Sequence, residues 1–96
     1  RSYEGIEKEV MNIHFTSKFQ KRFQKLPSKV QIRFQARFDL FIEDSSHPSL
    51  GVHPLKGNLA GFSAFSVTGD YRVIYRLLGA DRIELVDIGK HSQVYE

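Results

Sequence analysis

The sequence predicts one small α+β domain: an N-terminal strand, a helical hairpin, then an antiparallel β-meander packed on the helices. Three observations predict it. The chain has 96 residues, the length of a single domain. Two apolar stripes recur at helical spacing between residues 19 and 41, and three apolar runs separated by glycine-bearing turns occupy residues 62–88.

The elements follow in order. Asn12–Phe15 alternates polar and apolar residues, with Ile13 and Phe15 on one side, as a short strand does. Thr16 or Ser17 can cap the helix that follows, in which Phe19, Phe23 and Leu26 form one stripe. Pro27 ends this helix or bends the chain. Ser28 and Gln31 have the spacing of a capping box, which predicts a second helix from about Lys29 to Glu43 with the stripe Val30, Phe34, Phe38 and Phe41. A tight Leu26–Pro27–Ser28 turn makes the two helices a hairpin. Asp44 to Gly61, rich in Ser, Pro, Gly and His, reads as loop. Strands are predicted at Phe62–Val67, Tyr71–Leu78 and Arg82–Ile88, joined by Thr68–Gly69–Asp70 and Gly79–Ala80–Asp81. In the middle strand Tyr71, Val73, Tyr75 and Leu77 share the face expected to meet the helices. Asp70, Arg72, Ile74 and Arg76 share the other, a sheet face with two arginines that offers a floor for phosphate. The alternative there is cross-strand pairing of the arginines with Glu84 or Asp87.

Residues 1–10 show no clear period, and the only methionine is Met11. The expectation is that residues 1–10 are an N-terminal extension or expression remnant and that residues 11–96 form the domain. With no cysteine there is no disulfide framework, which is compatible with a reducing cytosol. No apolar run approaches the ~18 residues of a membrane span, so no membrane association is expected.

Net charge is +3 with a calculated pI near 9.3. The basic residues Lys18, Lys21, Arg22, Lys25, Lys29, Arg33 and Arg37 follow one another with no acid between them. Such a field attracts a phosphate backbone or an acidic partner, although a solvated helical surface has the same composition. The four histidines at 14, 47, 53 and 91 lack the spacing of a metal motif.

Three strings in this order, HPLKGNLAGF at 53–62, VTGDYRVIYRL at 67–77 and VDIGKHSQVY at 86–95, closely resemble the RelE/ParE toxin superfamily over about Met11 to Tyr95. The ending is similar to the RelE and YafQ branches. The resemblance implies the RelE-like fold and a cytoplasmic toxin of a type II toxin–antitoxin module. It implies a ribosome-dependent messenger-RNA endoribonuclease that needs neither a metal nor a small-molecule cofactor. Its partners would be a cognate antitoxin, the ribosome and messenger RNA. Alternatives within the superfamily are a ParE-like inhibitor of DNA gyrase and a catalytically inactive toxin-fold binding protein.

Metal-free RNA cleavage uses the neighbouring 2′-hydroxyl as nucleophile. It needs a proton acceptor, cations around the crowded phosphate and a donor for the leaving oxygen. The resemblance assigns these tasks to His91, Arg72, Tyr95, Asp70 and His53. His91 titrates near neutrality and suits acid or base work. Arg72 is permanently charged and can bind phosphate bidentately. Tyr95 can stack on a base and bond a phosphate. Asp70 can orient a histidine or act as base, and His53 matches a polar position of the YafQ branch. Lys56, Arg76 and Lys90 join the helical cations Lys18 to Arg37 as candidate RNA or ribosome contacts. The pattern departs from the YafQ branch at Ser66, where that branch has histidine, and at Tyr71, where it has tryptophan.

Overall fold

The computed structural model describes residues 12–95. The expectation that residues 1–10 precede the native start falls outside that range. Strand β1 (Asn12–Phe15) leads into α1 (Ser17–Gln24) and α2 (Ser28–Glu43). Then come a short β2 (His53–Pro54), β3 (Ser63–Ser66), β4 (Tyr71–Leu77), β5 (Arg82–Lys90) and a single helical turn, α3 (His91–Val94). The strands form one sheet in the order β1-β5-β4-β3-β2. β1 runs parallel to β5, as the long helical crossover between them permits, and the other pairs are antiparallel.

Thr16 sets the start of α1. Its backbone is extended, and its hydroxyl oxygen accepts the Phe19 N–H at 3.1 Å while donating to the Val86 carbonyl at 2.8 Å. One side chain thus caps the helix and ties it to β5. The capping box expected at Ser28 and Gln31 does not form. Pro27 occupies the cap position, and its carbonyl accepts the N–H groups of Val30 and Gln31. Gln31 is left to donate from Nε2 to the Phe23 carbonyl at 2.8 Å, which fastens α2 to the end of α1.

The two helical stripes meet one face of the sheet. Val30, Phe34, Phe38 and Phe41 are buried on α2, as are Phe65, Val73, Tyr75, Ile83, Leu85 and Ile88 from the strands. Seven phenylalanines make a continuous chain of ring contacts through this layer. It runs from Phe15–Phe19 (5.4 Å) through Phe23–Phe34 (5.3 Å) to Phe41–Phe65 (4.8 Å). Leu77 departs from the predicted core face: it is 60% exposed, near the end of β4.

A bulge lies between β4 and β5. Ile74 opposes Asp87 but Tyr75 opposes Leu85, so Val86 has no counterpart. The extra residue shifts the alternation, and Ile88 rather than Asp87 continues the core stripe of Ile83 and Leu85.

The predicted 44–61 loop is more ordered than expected. His53 and Pro54 pair with β3 as an edge strand, which tolerates proline because its outer N–H needs no partner. Leu50 is fully buried and anchors the segment. On the face away from the helices a second, smaller cluster of Ala64, Ile74 and Val94 is flanked by Leu55, Phe62, Val86 and Tyr95. The supposed open floor beside Arg72 and Arg76 is therefore partly covered by α3. Among the described residues no helix is long and apolar enough to cross a membrane.

Candidate active site at the end of the sheet

β5 ends at Lys90, and the chain turns at once into α3. The His91 N–H donates to the Asp70 carbonyl at 2.8 Å, which pins the start of α3 to the turn before β4. Val94, buried under Ile74, anchors the other end. One helical turn separates His91 from Tyr95, so their rings meet edge to face at 4.4 Å. His53 on β2 lies against the same Tyr95 ring, with centroids 6.5 Å apart. Its Nδ1 is hydrogen-bonded to the Gly51 carbonyl at 2.9 Å, and Nε2 has no hydrogen-bond partner among the described residues. His91 and His53 are both exposed.

Arg72 stands on the same face of β4. Its Nη1 donates to the carbonyls of Thr68 (2.9 Å), Gly69 (3.1 Å) and Tyr71 (3.1 Å), so the guanidinium is folded over its own turn. It acts on the Tyr95 phenol: burial pushes the Tyr95 pKa above its ordinary value, and the Arg72 charge pulls partly against that rise. The Tyr95 hydroxyl is buried and has no hydrogen-bond partner among the described residues. Asp70 meets His91 through its main chain. Among the described residues its carboxylate has no hydrogen-bond or ion-pair partner, so it does not orient the imidazole in this geometry.

Four of the five candidates for chemistry, His91, Tyr95, His53 and Arg72, thus converge, with Asp70 at the rim. Two imidazoles, a cation and a phenol with a free hydrogen-bonding capacity can together exchange protons with a ligand and neutralise an anionic centre. Among the described residues no group of three or more His, Cys, Asp or Glu could hold a metal ion.

The basic residues divide into two sets. Four of the seven helical cations are built into the fold. Lys18 and Arg22 each lie 3.4 Å from the Asp87 carboxylate, Arg33 donates to the Val67 carbonyl, and Arg37 donates to the carbonyls of Ser66 and Ser49. Arg76 pairs with cross-strand Glu84 at 2.7 Å and lies 5.4 Å over the Phe62 ring, the pairing that the sequence offered as the alternative to a phosphate floor. Lys21, Lys25, Lys29, Lys56 and Lys90 are exposed.

Asp87 escaped the sequence reading as a fixed point of the fold. It is 4% exposed and is held by Lys18, Arg22 and the Ile88 N–H at 2.8 Å. The signal was there: an acid inside an apolar strand, and two cations four residues apart on a helix.

The same architecture recurs in solved structures. YafQ from E. coli strain BL21(DE3) matches with a TM-score of 0.76 at 17% identity, covering 90% of this chain and 99% of that one. The YoeB/ParE toxin from Agrobacterium tumefaciens matches with 0.72 at 20%, covering 84% and 99%. The archaeal RelE–RelB complex from Pyrococcus horikoshii OT3 contains a chain that matches with 0.68 at 22%, covering 88% and 99%. These likenesses show the fold, the one shared by the YafQ, YoeB/ParE and RelE chains. A search of curated protein sequences returned no significant match. The family model for the ParE toxin of type II toxin–antitoxin systems (parDE) matches residues 13–95, and the chain belongs to that family.

Proposed function

We propose that this toxin is a metal-independent endoribonuclease that cleaves messenger RNA on the ribosome and is held in check by a cognate antitoxin. The observation that carries the reading is the convergence of His91, His53 and Arg72 on the Tyr95 ring. In this reading the 2′-oxygen attacks phosphorus and the bond to the 5′-oxygen breaks, leaving a 2′,3′-cyclic phosphate and a 5′-hydroxyl. His91 takes the 2′-hydroxyl proton, and His53, the second imidazole against the same ring, protonates the leaving 5′-oxygen. Arg72 swings from its turn carbonyls onto the phosphate, where a guanidinium gains charge-assisted bonds to anionic oxygens. The Tyr95 hydroxyl supplies a further contact. The exposed lysines Lys21 and Lys29 face ribosomal RNA.

An antitoxin partner is supported by family membership and by two solved relatives that are complexes, E. coli DinJ–YafQ and the archaeal RelE–RelB. The second reading, inhibition of DNA gyrase, is favoured by the ParE description of the matching family.

Primer extension on a defined message in a translating bacterial extract tests the two. Ribonuclease action gives new 5′ ends within the coding region that vanish when initiation is blocked. His91→Ala then lowers their yield by about 10²–10⁴-fold with unchanged folding. An intact message together with inhibited supercoiling by purified gyrase would give the second reading its place. No effect in either assay would mean an inactive toxin fold.

A further inference from the structure

On the helix side of the same strand ends lies a cleft that the chemistry above does not use. It sits between the α1–α2 turn and the β5–α3 junction and encloses about 320 Å³. Arg22, Lys25 and Lys90 line it together with the Tyr71 ring and the Gly89 backbone, and among the described residues no acidic side chain does. Arg22 is partly balanced by Asp87, a charge it shares with Lys18. Lys25 and Lys90 are exposed and have no ion-pair partner among the described residues.

Gly89 keeps the cleft open. A Cβ there would stand 3.1 Å from the Arg22 Nη1, 3.0 Å from the Gln93 Oε1 and 3.3 Å from the Val94 Cγ1. The missing side chain is what allows the guanidinium to lie across the strand end. Tyr71 opposes Lys90 in the β4–β5 register, so an aromatic ring and an ammonium group stand side by side. Successive residues of a strand face opposite sides of the sheet. Tyr71 therefore points into this cleft while Arg72 points to the His91–Tyr95 cluster, and the two sites are joined by the single Lys90–His91 peptide.

We propose that the cleft binds one nucleotide unit of a single-stranded RNA next to the cleaved bond. Arg22, Lys25 and Lys90 hold its phosphate, and Tyr71 supports its base. A positively charged groove with an aromatic platform is the general way of holding single strands without sequence preference. The volume lies at the low end of small-ligand sites, room for one nucleotide and not for a duplex. The proposal rests on the ribonuclease reading, because it takes the strand to continue from one site around the sheet end into the other.

The test measures fluorescence anisotropy of a labelled 2′-O-methyl RNA oligonucleotide, which lacks the nucleophile and cannot be cut, with the full chain across a salt series. Lys25→Ala/Lys90→Ala weakens binding about tenfold or more and makes the salt slope shallower by up to about 0.7, the loss of one phosphate contact. Tyr71→Leu weakens binding without changing the slope. Circular dichroism verifies that the variants fold. Equal binding by wild type and the double variant, or no binding by wild type at low salt, overturns the proposal. Message cleavage in the extract is read separately. Weakened binding by the double variant with no cleavage by the wild type keeps the cleft and removes the nuclease reading. Cleavage with unchanged binding removes the cleft and keeps the nuclease.

Discussion

The two faces of the sheet are built from different materials. The helix side carries a continuous layer of phenylalanine rings, closed by Val30, Ile83, Leu85 and Ile88. The opposite side has three buried residues, Ala64, Ile74 and Val94, under one turn of helix, with polar groups at its margin. Aromatic pairs contribute about 0.5–1.5 kcal/mol each beyond the area they bury, so the first face can hold the fold almost alone. The second can then be thinly covered. Imidazoles and a guanidinium stand where a ligand can reach them, around a buried hydroxyl. The difference separates the part of the chain that fixes the structure from the part free to do chemistry.

The largest expected effect tests that division directly. Phe65→Ala, at a site with no exposure and a ring 4.8 Å from Phe41, lowers stability by about 3–5 kcal/mol in urea unfolding. Val94→Ala on the other face loses two methyl groups and about 1.5 kcal/mol. It loosens the anchor of α3, so under the ribonuclease reading it lowers message cleavage more than its stability loss accounts for. Equal stability losses on the two faces would break the comparison.

Between these extremes stands Asp87, a buried charge at the seam of sheet and helix. Asp87→Asn keeps the shape and removes the charge that holds Lys18 and Arg22, and a loss of about 1–3 kcal/mol follows. Urea midpoints of wild type and variant check it; a loss within error would mean that the ion pairs are solvated and that the aromatic layer docks α1 unaided.

The helix side was the legible one in the sequence. Stripes such as Phe19–Phe23 and Phe34–Phe38–Phe41 follow from local periodicity, and the two glycine turns mark the meander. What periodicity could not give were features decided by partners far along the chain. β2 forms because His53 and Pro54 find an edge beside Ala64 and Ser63, not because two residues have strand propensity. The bulge at Val86 reverses the alternation midway through β5, so that Ile88 and not Asp87 continues the core stripe. The candidate site was legible as residue types through the VDIGKHSQVY string. The contacts that define it, the Tyr95 ring with His91 and His53 and the Arg72 charge, required the register of β4, β5 and α3. Arg76 shows the converse: its residue type suited phosphate, but a glutamate directly opposite on β5 takes it up.

The smallest effect sharpens the comparison on the thin face itself. The Tyr95 hydroxyl is buried without a partner, so Tyr95→Phe removes a desolvated polar group and raises stability by up to about 1 kcal/mol near neutral pH. Burial also raises the Tyr95 pKa above its ordinary 10.0, against the weaker pull of Arg72. The folded chain therefore keeps a proton that the unfolded chain releases. Below pH 10.0 both states are protonated and stability is unaffected; as pH climbs from 10.0 through the folded value, unfolding releases a proton and stability falls. The variant lacks that fall. Urea midpoints of wild type and Tyr95→Phe at about pH 8 and about pH 11 should diverge further at the higher pH, in favour of the variant. If the hydroxyl serves the phosphate, message cleavage by the same variant drops although the protein is more stable. A hydroxyl that costs stability in the free toxin and is used only when RNA is bound is what a site on the thin face predicts. A gap that does not widen with pH would mean that the phenol is not buried in solution, and unchanged cleavage would leave its ring as an anchor for α3 alone.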